Sequence, residues 1–540
     1  MKLFLRAAAA VVLTTAAVGC KSFLDINANP NNATSETPDA ILGVALATTA
    51  ANYTGGVLPG PNDNYNSLNS FTAGYWSKSG TVSGYSSERT YNYSNTYYQT
   101  VWSSTYDNLN DYQIIQTTGM ATGYPNHAAI ARIMKVYNFL LLVDEYGDIP
   151  YTNALKGIAN TAPTYDKAAD IYKDFIVQLK GALTDIDAAA ALKNPSARGV
   201  GPEDIVFKGD MTKWKQFANS LRLRILLRES QTNDAALNAY VATELSAVQA
   251  DANGFITADV VAQPGYATNT NQQNPFYDRY GFGVGLTRAT TEYSFILPTN
   301  YIIAQYISND DSARIGQLYR VGTKDSVAAY LGGTLGERLA PQFDPTTPDV
   351  GSRLLQGGTF LRGPNQPTIL MLLSEQLFSK AEAETRNLFM GGEAAAKSDY
   401  YDGIKSSFIS TFRAATVAPA SLAAASTAPG ATQYAAYIAN NAKNPEVNYD
   451  LASPTGNLGK QYIILYQKYI AENTVASTEG WDDYRRAAQP KIPASLQSNS
   501  PRPDKLPTRL LYPLSESNTN SANIPAGVTQ FTPIFWDVVD

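Results

Sequence analysis

Cysteine and histidine are nearly absent: the 540 residues hold one of each, Cys20 and His127. An intrachain disulfide is therefore impossible. A zinc site of the Cys/His kind, which needs three or four nitrogen or sulfur ligands, is excluded as well. Imidazole catalysis has a single candidate. His127 follows Tyr124-Pro125-Asn126, where a helix is expected to start, so it reads as a surface or capping residue. Charge is also scarce, at 16% of residues against about 25% in an average domain. The 41 basic and 47 acidic residues give a net charge of −6 with no basic block, so the electrostatic footprint of a nucleic-acid binder is missing. Beyond the N-terminus no apolar run approaches the roughly 20 residues that span a bilayer. The chain has no G-x-S-x-G elbow, phosphate-binding loop or dinucleotide fingerprint. A glycosidase needs two carboxylates at a set separation, and the 47 acids nominate no particular pair. Tyrosine, by contrast, is abundant, with 35 residues against 19 phenylalanines.

The first twenty residues are ordered as a targeting segment. Lys2 and Arg6 precede the apolar stretch Ala7 to Ala17, and small residues end in Val18-Gly19-Cys20. This is the order of a secretory signal peptide. Its ending resembles the bacterial lipoprotein box, in which the cysteine is acylated and becomes the new N-terminus, although Ala17 stands where the box usually has Leu. The expected division is a signal peptide over 1–19 and a lipidated Cys20 opening one domain over 20–540. Several acyl chains on one cysteine anchor firmly where a single chain binds only marginally.

Most of the mature chain reads as helix. Thr37-Pro38-Asp39 places a cap and a first-turn proline before Ala40–Ala51. Ile171, Phe175, Leu179 and Leu183 form one apolar stripe on Asp166–Ala189, and Asp210 caps a helix carrying Trp214, Phe217, Leu221 and Ile225. Further helices are expected at 95–118, 127–144, 234–249, 299–308, 367–389, 396–413 and 459–474. Short connections pair 95–118 with 127–144 and 367–389 with 396–413. Stacked antiparallel hairpins of this kind make a TPR-like solenoid, although no clean 34-residue repeat is visible. Long irregular stretches near 52–93, 251–291, 321–364 and 488–529 are expected to form a second lobe of loops, and long loops tend to be functional. The fold class is thus mainly α.

An ordered set of short motifs then runs along nearly the whole chain: Phe23-Leu24-Asp25-Ile26-Asn27, Asp144-Glu145-Tyr146-Gly147-Asp148-Ile149-Pro150-Tyr151, Pro163-Thr164-Tyr165-Asp166, Lys213-Trp214 with Phe217-Ala218-Asn219-Ser220-Leu221-Arg222, Ala381-Glu382-Ala383, Gln467-Lys468-Tyr469, Trp481, Tyr484-Arg485-Arg486 and Tyr512-Pro513. The set resembles the SusD/RagB family of outer-membrane nutrient-binding lipoproteins, in its SusD-like branch from Bacteroidetes. Asn309-Asp310-Asp311-Ser312-Ala313-Arg314 departs from the Asp-Pro-Arg-like pattern expected there. The resemblance implies a non-enzymatic protein, lipid-anchored at the outer membrane and facing outward. It would bind an oligosaccharide, polysaccharide or other nutrient and deliver it to a SusC-type TonB-dependent transporter.

Physical reading of the motif residues is mostly structural. Gly147 fits a helix C-cap in the left-handed region, and Trp214 and Phe217 sit on a core stripe. Arg222, Arg224, Arg485 and Arg486 lie among apolar neighbours and are expected to bridge carboxylates between helices, Glu382 among them. Asp144, Glu145 and Asp148 read as solvated acids at a helix end. Sugars offer a CH face to aromatic rings and a rim of hydroxyls to polar groups, which suits tyrosine and tryptophan interleaved with Asn and Ser. From loop context the ligand-binding residues are expected to be Tyr75, Trp76 and Tyr85 with Tyr277, Arg279 and Tyr280, whereas Tyr97, Tyr98 and Trp102 read as core. No cofactor, metal or catalytic residue is expected. Calcium would suit the Asp/Asn-rich loops, but no EF-hand spacing is present. The rival readings are a lipid-anchored glycan hydrolase or lyase, which would shorten glycans, and an adhesion protein, which would bind none.

Overall fold

A computed structural model describes residues 36–540 except 57–62, 81, 193, 195, 339, 342–349, 423–426, 455, 457, 458 and 540. Cys20 and the expected signal peptide lie outside the described residues.

The principal helices, numbered in chain order, are α1 (Pro38–Thr54), α2 (Tyr65–Thr72), α3 (Gln99–Thr122), α4 (Pro125–Tyr146), α5 (Ala168–Leu192), α6 (Met211–Arg228), α7 (Ala235–Gln249), α8 (Asn300–Ser308), α9 (Leu373–Thr385), α10 (Gly392–Phe412), α11 (Lys460–Glu472) and α12 (Ser477–Ala487). Local signals explain their ends. Gly123, at φ +87°, closes α3 in the left-handed region and Pro125 opens α4, the asymmetry expected of glycine past a helix end and proline at a start. The Asp210 carboxylate accepts from the N–H groups of Thr212 and Lys213 and so caps α6.

Consecutive helices pack on each other from α3 through α7, and α9 packs against α10. This is the expected stack of helix hairpins. Helix α4 is its centre, touching α1, α3, α5 and α6, and Ile130, Ile133, Met134, Tyr137 and Leu141 are all buried. A helix enclosed on all sides is apolar all round. The Ile171, Phe175, Leu179 and Leu183 stripe of α5 is buried as expected.

Three expectations are corrected. The segment expected as helix from 367 begins as strand β4 (Thr368–Met371), paired antiparallel with β2 (Val260–Ala262) before α9 starts at Leu373. Pro367 and the β-branched Thr368 and Ile369 favour extended backbone there. The stretch 52–93 is not loop throughout: it holds α2 and β1 (Trp76–Lys78), and β1 pairs with β3 (Ile296–Pro298). Gly147 has the expected positive φ of +73°, but its ψ of −120° lies outside the left-handed helical basin.

The buried arginines are paired. Arg486 holds Glu382 through two bonds of 2.6 and 2.8 Å, and Arg224 holds Glu375 through two of 2.8 Å. Arg228 contacts Asp144, Glu479 and Asp482, Arg485 contacts Asp482, and Lys468 meets Asp483 at 2.7 Å. Arg222 lies 3.6 Å from both Glu244 and Asp251. The network ties α4, α6, α9, α11 and α12 together through charges with almost no solvent contact. Asp144 and Glu145 are fully buried rather than solvated, because α12 and its arginines cover the end of α4. His127 is likewise buried, not at the surface, and its Nε2 lies 2.9 Å from Glu203.

Candidate ligand-binding site

The loop lobe has its own aromatic core. Phe71, Tyr75, Trp76, Phe276, Tyr280, Phe360 and Trp481 belong to one buried cluster. Five of the six residues expected to face a ligand are consumed by it or by its supports. Tyr75 stacks on Tyr469 at 4.5 Å and donates its hydroxyl to the Tyr469 carbonyl. Trp76 meets Tyr280 at 5.1 Å between ring centres, and its indole N–H reaches Thr474 Oγ1 at 2.9 Å. Tyr277 is buried, Arg279 donates to the Gly55 carbonyl at 2.8 Å, and Tyr280 accepts from Asn64 Nδ2 at 3.0 Å. In this structure those ring faces are covered by other protein atoms and offer a ligand no surface. Strand β1 is buried at all three positions and the short helix Pro275–Tyr280 at four of its six, because both are covered by segments far away in the chain, such as the one around Tyr469 to Thr474.

Tyr85 is the exception. It is half-buried, with its hydroxyl 2.5 Å from Glu292 Oε2. Tyr85, Tyr91 and Tyr98 all have positive φ, at 58°, 56° and 52°, a region uncommon for bulky residues. Each is held by a side-chain anchor: Tyr91 Oη accepts from Ser495 N at 2.8 Å and Tyr98 Oη lies 2.9 Å from Ser67 Oγ. Tyr98 and Trp102 are core residues as expected, while Tyr97 is half-buried. Much of the tyrosine in 79–98 therefore fastens loop to scaffold.

Concave surface of ligand size is found instead on the second long loop. Two grooves, of about 780 Å³ and about 550 Å³, share Ile205, Gly265 and Tyr266 as a common wall. Both fall in the range of about 300–1,000 Å³ typical of small-molecule sites. The turn that presents Tyr266 is built from sequence. Gly265 takes φ +104°, a conformation glycine adopts without a Cβ penalty. The Gln263 side-chain carbonyl accepts from the N–H groups of Gly265 and Tyr266 at 3.0 and 2.9 Å, while its amide donates to the Asn365 carbonyl. Tyr266 itself is half-buried, its hydroxyl 3.3 Å from Thr368 Oγ1. Burial of that end pushes the phenol up to about 12, so it is neutral and retains its O–H at neutral pH.

The groove walls differ in charge. Asp39, Glu203 and Asp278 line the larger one, and Lys208, Lys213 and Asn365, with the single acid Asp259, line the smaller. Burial works to raise the Glu203 carboxyl, but bonds from the Gly201 N–H and from His127 hold it below its ordinary range. An ionised Glu203 is an acceptor for sugar hydroxyls. The sequence marked 251–291 as a long irregular stretch but did not point to Tyr266; the Gln263-Pro264-Gly265-Tyr266 turn is the signal that could have found it.

The family model described as starch-binding, associating with outer membrane, SusD-like, matches residues 30–513. The chain belongs to the SusD-like family. No curated protein matches it. Among solved structures, a chitin-binding SusD homologue from Flavobacterium johnsoniae is similar to this SusD-like protein with a TM-score of 0.71 at 21% identity, over 92% of this chain and 99% of that one. A SusD homologue from Parabacteroides distasonis gives 0.69 at 20% identity, over 93% and 98%. A SusD-like protein from Bacteroides thetaiotaomicron gives 0.68 at 20% identity, over 93% and 98%. At these identities the likeness concerns the fold. Among the described residues, no helix is long and apolar enough to cross a membrane.

Proposed function

We propose that this SusD-like protein is a lipid-anchored receptor on the outside of the outer membrane. It captures an oligosaccharide or polysaccharide across Tyr266 and releases it unaltered to a SusC-type TonB-dependent transporter. The observation that carries the binding site is the pair of grooves meeting at one half-exposed tyrosine, lined by carboxylates, amides and lysines that can bond hydroxyls. A saccharide laid over the ring would stack its CH face on Tyr266 and bond its rim to Glu203 and Asn365. Such a ring contact contributes on the order of 1 kcal/mol, so useful affinity needs several subsites along the groove. Family membership supports glycan as the ligand class and the outer membrane as the location.

The test is calorimetry of the acylation-free mature protein against a panel that includes chitin and starch oligosaccharides. Binding of one class is expected, and Tyr266→Ala should weaken it about fivefold while leaving the protein folded. Undiminished binding by that variant would place the ligand elsewhere. Shortened products after incubation would make the protein a hydrolase or lyase.

A further inference from the structure

Where the helical stack meets the loop lobe, two arginines lie near a single acid. Asp259 Oδ2 accepts from Arg413 Nη1 at 2.9 Å and from Ser410 Oγ at 2.9 Å, while Oδ1 accepts from the Leu373 N–H at 2.9 Å. Arg362 makes no ion pair with it: its Nη2 donates to the Ser410 carbonyl instead. Arg362 Nε, Arg413 Nε and Arg413 Nη2 are buried without a partner. The cluster therefore holds two guanidiniums against one carboxylate. Neighbouring Arg314 adds nothing to the balance, since Asp311 matches it at 2.6 Å.

Arg362 also lines two small clefts of about 30 Å³ and about 20 Å³, which share Thr359, Phe360, Ile369 and Val475 as walls. No aspartate or glutamate lines either. Their polar lining is hydroxyl, amide and guanidinium, and Ser374 Oγ in the second has no partner. About 10–15 Å³ of such volume accommodates one water, so each space suits a particle of one or two water volumes and nothing as large as a sugar. Arg362 as a residue is only partly buried, but its Nε is enclosed and unpaired, and a guanidinium held out of water without an opposite charge is unfavourable. Burial and the nearby Arg413 pull the Arg362 guanidinium down to about 9, with Asp259 opposing only in part, which is the behaviour of a cation short of a counter-charge.

We propose that the space beside Arg362 is a binding site for a monovalent halide-sized anion, chloride in physiological media, which supplies the missing negative charge and braces the junction between the two cores. Asp259 and Pro367 also line the smaller Tyr266 groove, so the two sites adjoin, but the proposal does not depend on the glycan reading.

Crystals of the mature protein soaked in sodium bromide test it directly. An anomalous bromide peak in contact with the Arg362 guanidinium is expected. A refined water there with no anomalous signal would overturn the proposal. In solution, the melting temperature at pH 7 should be higher in sodium chloride than in sodium gluconate of equal ionic strength, by on the order of 1–2 °C, because a ligand bound only by the native state raises stability. Arg362→Met should abolish that difference. Equal melting in the two salts for the wild type would also count against the site. If the variant fails to fold, the bromide map on the wild type decides.

Discussion

Trp76 and Tyr266 make the contrast at the scale of single residues. Trp76 is fully buried, edge-on to Phe71 and Tyr280, and its only polar atom is bonded to Thr474. Trp76→Ala removes a large ring from a packed core and should cost about 3–5 kcal/mol of stability, read as a lower urea midpoint. Loss of glycan binding by that variant with unchanged stability would show that the ring faces ligand after all. Glu229 offers a second test. It is fully buried with neither carboxylate oxygen partnered, and burial pushes it up to about 8, with Lys173 opposing. The folded state then keeps a proton that the unfolded chain, near its ordinary value of about 4.3, has lost. The stability associated with that proton is fully present below the unfolded value and declines as pH rises towards 8, by about 1.4 kcal/mol per pH unit at most. Glu229→Gln should flatten the stability profile between pH 5 and 8 and make the variant the more stable form at pH 8, which denaturation at several pH values would show. An unchanged slope would mean that Glu229 is ionised in the fold.

At the scale of elements, the ion-pair network explains why the arginine-rich motif strings stand where they do. Glu382 on α9 is bonded by Arg486 of α12 and by Arg386, and these bonds hold it below its ordinary range against the cost of burial. Glu382→Leu leaves buried guanidiniums uncompensated and should cost about 3–5 kcal/mol. Joining it to Arg486→Met should cost less than the sum of the two single changes, a coupling that a double-mutant cycle in urea measures. Additive effects would show that the pair is not a unit. The same network marks what could be read in advance. Helices α3 to α7 were legible because their apolar residues recur at helical spacing. Helix α12 was not, because its sequence Ser-Thr-Glu-Gly-Trp-Asp-Asp-Tyr-Arg-Arg-Ala looks solvated although every residue of it is buried. Charges that satisfy one another inside a fold erase the pattern that burial normally writes. Helix α2, Tyr-Asn-Ser-Leu-Asn-Ser-Phe-Thr, was missed for a related reason: its amides and hydroxyls are buried and bonded to the segment around Thr474 to Thr478.

For the whole molecule, the proposed function joins an N-terminal lipid to a binding face carried on the loop lobe. Labelled palmitate should be incorporated into the wild type, and the protein should fractionate with outer membrane. Cys20→Ser should abolish the label and release the protein from membranes. Retention of Cys20→Ser in the membrane would require another anchor.

Residue types and spacing were enough to determine a helical hairpin scaffold, the SusD-like resemblance, the pairing of Arg224 and Arg486 with acids, and the absence of disulfide and Cys/His zinc chemistry. These follow from local periodicity and from residue counts. Which tyrosines face inward was settled only by tertiary structure. A ring in a loop becomes core or surface according to segments hundreds of positions away, as Trp76 does through Thr474 and Tyr75 through Tyr469. The groove at Tyr266 and the spare charge at Arg362 are likewise products of distant chains meeting, and no short stretch of sequence contains them.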